Sequence, residues 1–124
     1  GMLPQTLNGK YSVYGKKKDD EIKILDDLHL LQKSGVFSIV IECTVEPLVR
    51  KVLNNSKVPI IGIGATSECH GQIIVAEDML GMTDFKSKFL KKYSNLQLII
   101  SKAFKNFKND VVKRKYPHKK NYYK

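Results

Sequence analysis

The stretch VPIIGIGATSECHGQIIVAEDMLGM, Val58 to Met82, decides how the chain is read. Its opening, Val58 to Ala65, is short, β-branched and apolar on both faces, which suits a strand covered on both sides. An earlier run, VFSIVIEC, Val36 to Cys43, has the same character. Between them Glu46 to Asn54 reads as a helix, with Pro47 in its first turn. Strand, helix and strand within about 30 residues make a βαβ unit, which requires parallel pairing and a right-handed crossover.

Outward from this unit the same logic continues. Asp19 or Asp20 is positioned to cap a helix running to Lys33, with acidic residues in its first turn. Ile22, Leu25, Leu28 and Leu31 recur along it at three-residue steps, flanked by Ile24, and Ser34-Gly35 stops it. Residues 1–18 read as loop, with a turn signal at Asn8-Gly9. Gly71 to Glu77 fits a third strand, although Ala76 to Leu80 also tolerate a helix start. From Asp84 onward the pattern is helical, with Ser94 as a cap. Leu96, Ile99, Ile100, Ala103, Phe104, Phe107 and Val111 form a broad apolar stripe. Pro117 ends this helix, and residues 118–124 are a frayed, charged terminus. The alternation is that of an α/β fold. Two secure strands and a third are too little sheet to give each buried strand a neighbour on both sides, so the chain reads as part of something larger.

Composition narrows the function. The chain has 124 residues, 42% of them apolar, enough for one domain with a core. No run of about 18 apolar residues predicts a spanning helix, and the N-terminus lacks the apolar centre of a secretory signal. Cys43 and Cys69 are too few for a disulfide framework and read as two buried thiols in a reducing cytoplasm. The net charge of +10 is uneven. Residues 1–85 carry 9 Lys/Arg and 11 Asp/Glu, whereas residues 86–124 carry 13 Lys/Arg against Asp110 alone. Such a basic end could grip phosphates. Lysine outnumbers arginine 20 to 2, however, and arginine is the better bidentate reader of phosphate and guanine, which argues against nucleic acid.

Three kinds of chemistry compete for the opening stretch. In GIGATS, Gly62 and Gly64 have dinucleotide-loop spacing, but Ser67 stands where a third small residue is needed, and no Walker spacing exists. Cys69 and His70 are adjacent, which rarely closes a tetrahedral site, and Cys43, His29 and His118 lie at no zinc spacing. The remaining reading is a strand end open to a ligand. Glycines there allow close approach, and parallel α/β folds place their sites at that end. Glu42 sits at the end of its strand, in IVIEC, amid apolar residues. Either it carries a proton, its pKa raised by burial, or it only hydrogen-bonds the next loop.

Several blocks, in order, resemble the ketopantoate hydroxymethyltransferase family. IIGIGATSECHGQIIVAEDMLGM is similar to its I-G-I-G-A-G, loop, D-G-Q, apolar strand and D-x-x-G. GMLPQT resembles G-L-T-P-Q-S, GKYSVYGK resembles G-G-Y-x-V-Q-G-R, IVIEC resembles V-L-E-C, KFLKKYSNL resembles K-F-x-K-x-Y, and RKYP resembles the closing aromatic-proline. The departures are Thr66 for the last glycine of I-G-I-G-A-G, His70 for the aspartate of D-G-Q, a proline displaced to Pro47, and Lys10 for a glycine.

The resemblance implies a TIM-type (βα)8 barrel with parallel strands. Residues 1–117 would form its second, C-terminal half, incomplete as given, and 118–124 a basic tail. It implies transfer of a hydroxymethyl group from 5,10-methylenetetrahydrofolate to 3-methyl-2-oxobutanoate, giving 2-dehydropantoate for pantothenate synthesis. Magnesium would hold the keto acid and stabilise its enolate. The family's proton-transfer residue maps onto Glu42, and Gly62 and Gly64 would wall the substrate pocket. The magnesium ligands and the substrate-facing lysine of the family belong to earlier strands, so no metal ligand is expected among these residues, and the chain is expected to be a portion of a longer reading frame. Alone, it is expected to be inactive and, with two open edges on buried strands, to aggregate or self-pair. The full-length enzyme would be cytoplasmic and homo-oligomeric. The readings from other classes are an inactive remnant and a basic module for RNA or an acidic partner.

Overall fold

A computed structural model describes residues 12–123 of the chain. They belong to two compact units, the first ending at Ile74 and the second beginning at Val75. The blocks at Gly1–Thr6, the Asn8-Gly9 turn and Lys10 lie outside the described residues.

The first unit contains α1 (Lys18–Lys33), β1 (Ile39–Glu42), α2 (Glu46–Asn55), β2 (Ile60–Ile63) and β3 (Gly71–Gln72). All three strands are parallel and adjacent in chain order, β1-β2-β3. On the far side of β1, Tyr14 makes a parallel bridge to Thr44. The segment before α1 therefore touches the sheet on one side, and β3 touches it on the other. This supplies the neighbours that two strands alone lack. It is a run of parallel sheet with α1 and α2 as crossover helices.

Each strand is shorter than its apolar run, for local reasons. Pro59 has no N–H to give to the ladder, so pairing begins one residue later, at Ile60. Its carbonyl still accepts from Ile39 N–H at 2.9 Å, which sets the start of β1 opposite. Val36 to Ser38 fall outside the strand, and Phe37 is 89% exposed. β2 stops where Gly64 turns left-handed at φ 61°. β3 is only two residues long, and a one-turn helix follows in the second unit, so the Gly71–Glu77 run holds both of the elements its sequence allows.

The core lies between the helices and one face of the sheet. Ile24 and Leu28 of α1, Leu48, Val49 and Val52 of α2, Ile41 of β1 and Ile60 of β2 are buried together. Each such side chain contributes roughly 1.5–3 kcal/mol by leaving water. The inward face of α1 differs from the three-residue stripe. Ile22 and Leu31 are exposed, while Ile24 and Leu28 are buried. A step of three residues drifts about 60° round a helix, so a series of three steps ends on the opposite side, whereas a step of four stays on one face. Nor does Asp19 or Asp20 cap α1. Lys17 stands at its N-cap without a side-chain bond, and both aspartates lie in the first turn. There Asp20 accepts the Gly15 N–H at 3.1 Å. Lys51 of α2 bonds Glu21 of α1 at 2.6 Å and ties the two helices at their rim.

The second unit contains α3 (Ala76–Met79), α4 (Leu96–Val112) and a single 3-10 turn at Lys119–Asn121. The helix expected from Asp84 begins only at Leu96. The intervening chain folds back on the end of α3. Tyr93 N–H donates to Met79 O at 2.8 Å, and Leu96 N–H donates to Leu80 O at 2.9 Å. Asn95, rather than Ser94, caps α4, its side chain accepting from Leu98 N–H at 3.3 Å. The helix ends at Val112, before Pro117, because Arg114 turns left-handed and Lys115 N–H closes on Asp110 O at 2.7 Å. Within the terminus expected to fray, Lys119–Asn121 form a 3-10 turn capped by His118. Among the described residues no helix is long and apolar enough to cross a membrane.

Candidate active site

The site is built at the C-terminal end of the parallel strands. In a strand, alternate side chains take opposite faces, and paired residues of parallel neighbours share one. The register pairs Ile39 with Ile60, Val40 with Ile61, Ile41 with Gly62, Glu42 with Ile63, Ile61 with Gly71 and Gly62 with Gln72. Ile41 and Ile60 lie in the core, so Ile39, Gly62 and Gln72 share the helix-covered face. Val40, Glu42, Ile61, Ile63 and Gly71 share the other. That face is apolar and partly open, with Val40 54% exposed. The expectation of strands covered on both sides is thus met on one face only among the described residues.

Glu42 is the last residue of β1 and the only ionisable side chain among those five. It is half-buried, and burial pushes its carboxyl above the ordinary glutamate range. Its main-chain carbonyl accepts from Thr44 Oγ1 at 3.1 Å, and Thr44 is only 6% exposed. A carboxyl held at a strand end among isoleucine and valine side chains can take and release a proton nearer neutrality than a solvated one.

Gly62 does not share this face. A Cβ there would lie 2.9 Å from Gln72 Oε1 and 3.0 Å from Cys69 Sγ, so only glycine leaves room for these side chains beneath the strand. Gly64 is exposed at the end of β2. The loop after it is held at several points. Gln72 Nε2 donates to Thr66 O at 2.7 Å. Arg50 of α2 reaches Glu46 at 2.9 Å and also pairs with Glu68. His70 extends the ladder beside Ile60 through both backbone and ring. Its main-chain N–H donates to Ile60 O at 2.9 Å, and its Nδ1 accepts Ile60 N–H at 3.1 Å. The second bond fixes the ring hydrogen of neutral imidazole on Nε2.

The two thiols are half-buried rather than buried, because each sits at a strand end or in a loop instead of inside the core. Burial raises both thiols above the usual cysteine range, and for Cys43 the Glu42 charge adds to the rise. Among the described residues no three His, Cys, Asp or Glu side chains gather as metal donors. These residues do not by themselves fit magnesium.

Sequence patterns do not mark Tyr14, Thr44, Gln72 or the Arg50–Glu68 pair as parts of the site. Gln72 stands in the Gly71-Gln72 block, but the Tyr14–Thr44 bridge spans 30 positions and leaves no local pattern.

With this geometry in place, similarity to known proteins is specific. The chain matches the ketopantoate hydroxymethyltransferase family over residues 1–119. It is similar to 3-methyl-2-oxobutanoate hydroxymethyltransferases from Pelagibacter ubique, 42% identical over 123 residues (99% of this chain, 48% of that protein), and from Bartonella tribocorum, 40% identical over 126 residues (100% and 46%). A third, from Thermosipho melanesiensis, is 40% identical over 127 residues (100% and 48%). The chain spans about half the length of the curated relatives it matches. It belongs to the ketopantoate hydroxymethyltransferase family.

Proposed function

We propose that this chain supplies the second half of a TIM-type barrel to an enzyme that transfers a hydroxymethyl group from 5,10-methylenetetrahydrofolate to 3-methyl-2-oxobutanoate, with Glu42 as its proton-transfer residue. Family membership supports the reaction. The run of parallel strands adjacent in chain order, with helices on one face, supports the barrel, since barrels are built from that repeat. The observation that carries the role of Glu42 is its place: a half-buried carboxyl on the face opposite the helices, at the strand end where such folds put their chemistry.

The reaction explains why such a group is needed. A new carbon–carbon bond forms at C3 of 3-methyl-2-oxobutanoate, next to the keto carbon. The hydrogen on C3 must leave as a proton before the enolate carbon can attack the one-carbon unit, which water releases from tetrahydrofolate at the aldehyde level and which becomes an alkoxide as the carbon–carbon bond forms. Glu42 takes that proton, its raised pKa making it the stronger base, and returns it to the new alkoxide, which becomes the hydroxyl. Ile63, Ile61 and Val40 offer apolar surface beside it for the branched alkyl group of the keto acid. Gly64, at the same end of β2, is a wall of this pocket, and Gly62 acts behind it by seating Gln72 and Cys69. Magnesium, when bound, would polarise the keto acid, with donors from the remainder of a full-length enzyme. The setting of such an enzyme is the cytoplasm.

The test is a chimera in which the part of the Pelagibacter ubique relative preceding its match is joined to residues 1–124. Hydroxymethyl transfer by the chimera is the expected result. A folded chimera without turnover would overturn the proposal.

A further inference from the structure

We infer that Cys43 is a positioning residue for Glu42 and that it acts through its backbone rather than its thiol. Cys43 has φ 51°, one of two described non-glycine residues at positive φ, the other being Arg114. L-residues rarely adopt this region, and it is found where surrounding structure imposes it.

The surroundings at Cys43 are specific. Its carbonyl accepts Tyr14 N–H at 2.8 Å, and two residues on Val45 N–H donates to Tyr14 O at 2.9 Å. Thr44, between them, forms the parallel bridge to Tyr14 and returns its hydroxyl to Glu42 O at 3.1 Å. The left-handed residue thus ends β1 at Glu42 and passes the chain to Tyr14 and then into α2. Without that turn the pleat would continue, Thr44 would be drawn away from the Glu42 carbonyl, and the carboxyl would lose its fixed origin. A thiol is not required for any of these bonds. A backbone that tolerates positive φ is required.

This inference rests on the reading of Glu42 as the proton carrier, but its test measures no turnover, so a missing transferase activity would sink that reading without touching this one. The experiment uses the chimera, in which the strand edges left open in the 124-residue chain gain neighbours, with Cys43→Gly, Cys43→Ser and Cys43→Val. It follows the Glu42 carboxyl carbon through a pH titration by NMR and measures hydrogen exchange at the Tyr14 and Val45 amides. Glycine is free at positive φ, and a β-branched residue is least tolerant of it. Cys43→Gly is therefore expected to keep the slow exchange and the upward-shifted Glu42 midpoint. Cys43→Val is expected to lose both, with the midpoint returning to the ordinary carboxylate range. A glycine variant that loses them as fully as valine would overturn the inference in favour of a thiol role. A valine variant that keeps both would overturn it in favour of no role. Should the valine chain not fold, the order of glycine and serine decides: glycine at least as native-like as serine supports the backbone role, and the reverse order refutes it.

Discussion

The two units of the chain both carry apolar helices and differ in what they do with them. In the first, α1 and α2 bury five aliphatic side chains against Ile41 and Ile60. In the second, α4 is a long helix with a wide apolar stripe and no buried residue, its Leu98 67% and Phe104 69% exposed. A helical pattern fixes which residues share a face, but burial requires a partner surface. The first unit carries its partner in its own sequence, because a βαβ crossover brings helix and sheet together within a few dozen residues. The stripe of α4 finds no such cover among the described residues of its own unit.

The largest effect expected from this contrast is in activity. The 124-residue chain alone should give no hydroxymethyl transfer while the chimera turns over, measured by consumption of 3-methyl-2-oxobutanoate. Turnover by the chain alone would erase the distinction between a part and a whole.

Stability sharpens the contrast next. Leu48→Ala, at a site only 2% exposed, should cost about 2–5 kcal/mol in a denaturant melt of the chain. Phe104→Ala, on α4, should stay within about 0.5 kcal/mol, as surface changes do. Equal costs would show that α4 has an apolar partner in the chain. The loop of the second unit offers a case that does not depend on burial of an apolar face. Gly81 has φ 68°, and a Cβ there would lie 2.4 Å from Ser94 O. Gly81→Ala should therefore cost roughly 1–3 kcal/mol by strain alone, visible as faster hydrogen exchange at Tyr93 and Leu96.

The smallest effect is one of pH. The Glu42 carboxyl is raised by burial, so the folded chain binds its proton more tightly than the unfolded chain does. Stability therefore falls as pH rises from the unfolded carboxylate pKa through the higher folded one. Glu42→Gln removes the charge and should flatten this slope, leaving the variant slightly more stable than the parent near neutral pH. A steeper slope in the variant would mean that the carboxylate form is the favoured one.

Much of the first unit is legible in its residues. β-Branched runs, a proline in a first helical turn and the βαβ spacing are local signals, and β1, α2 and β2 lie where those signals put them. Element ends are less legible, because Pro59 and Gly64 set strand limits through the ladder rather than through hydrophobicity. The three-residue stripe of α1 misleads about its inward face, since such a stripe winds round the helix. In the second unit the start of α4 depends on carbonyls at the end of α3, more than ten residues away, which no local pattern reports. At the site, the place of Glu42 follows from its position at the end of an apolar strand. The left-handed turn at Cys43 does not, since it is imposed by Tyr14, far away in sequence. Gly62 is visible as a glycine, but the side chains it makes room for are not.

One measurement bears most directly on the role of Glu42: the rate of hydroxymethyl transfer by the chimera carrying Glu42→Gln. The expected result is a fall of about 10²–10⁴-fold in kcat, the scale of a lost general base, with KM for the keto acid little changed. A Glu42→Gln chimera that turns over like its parent would contradict the assignment of Glu42 as the residue that moves the proton.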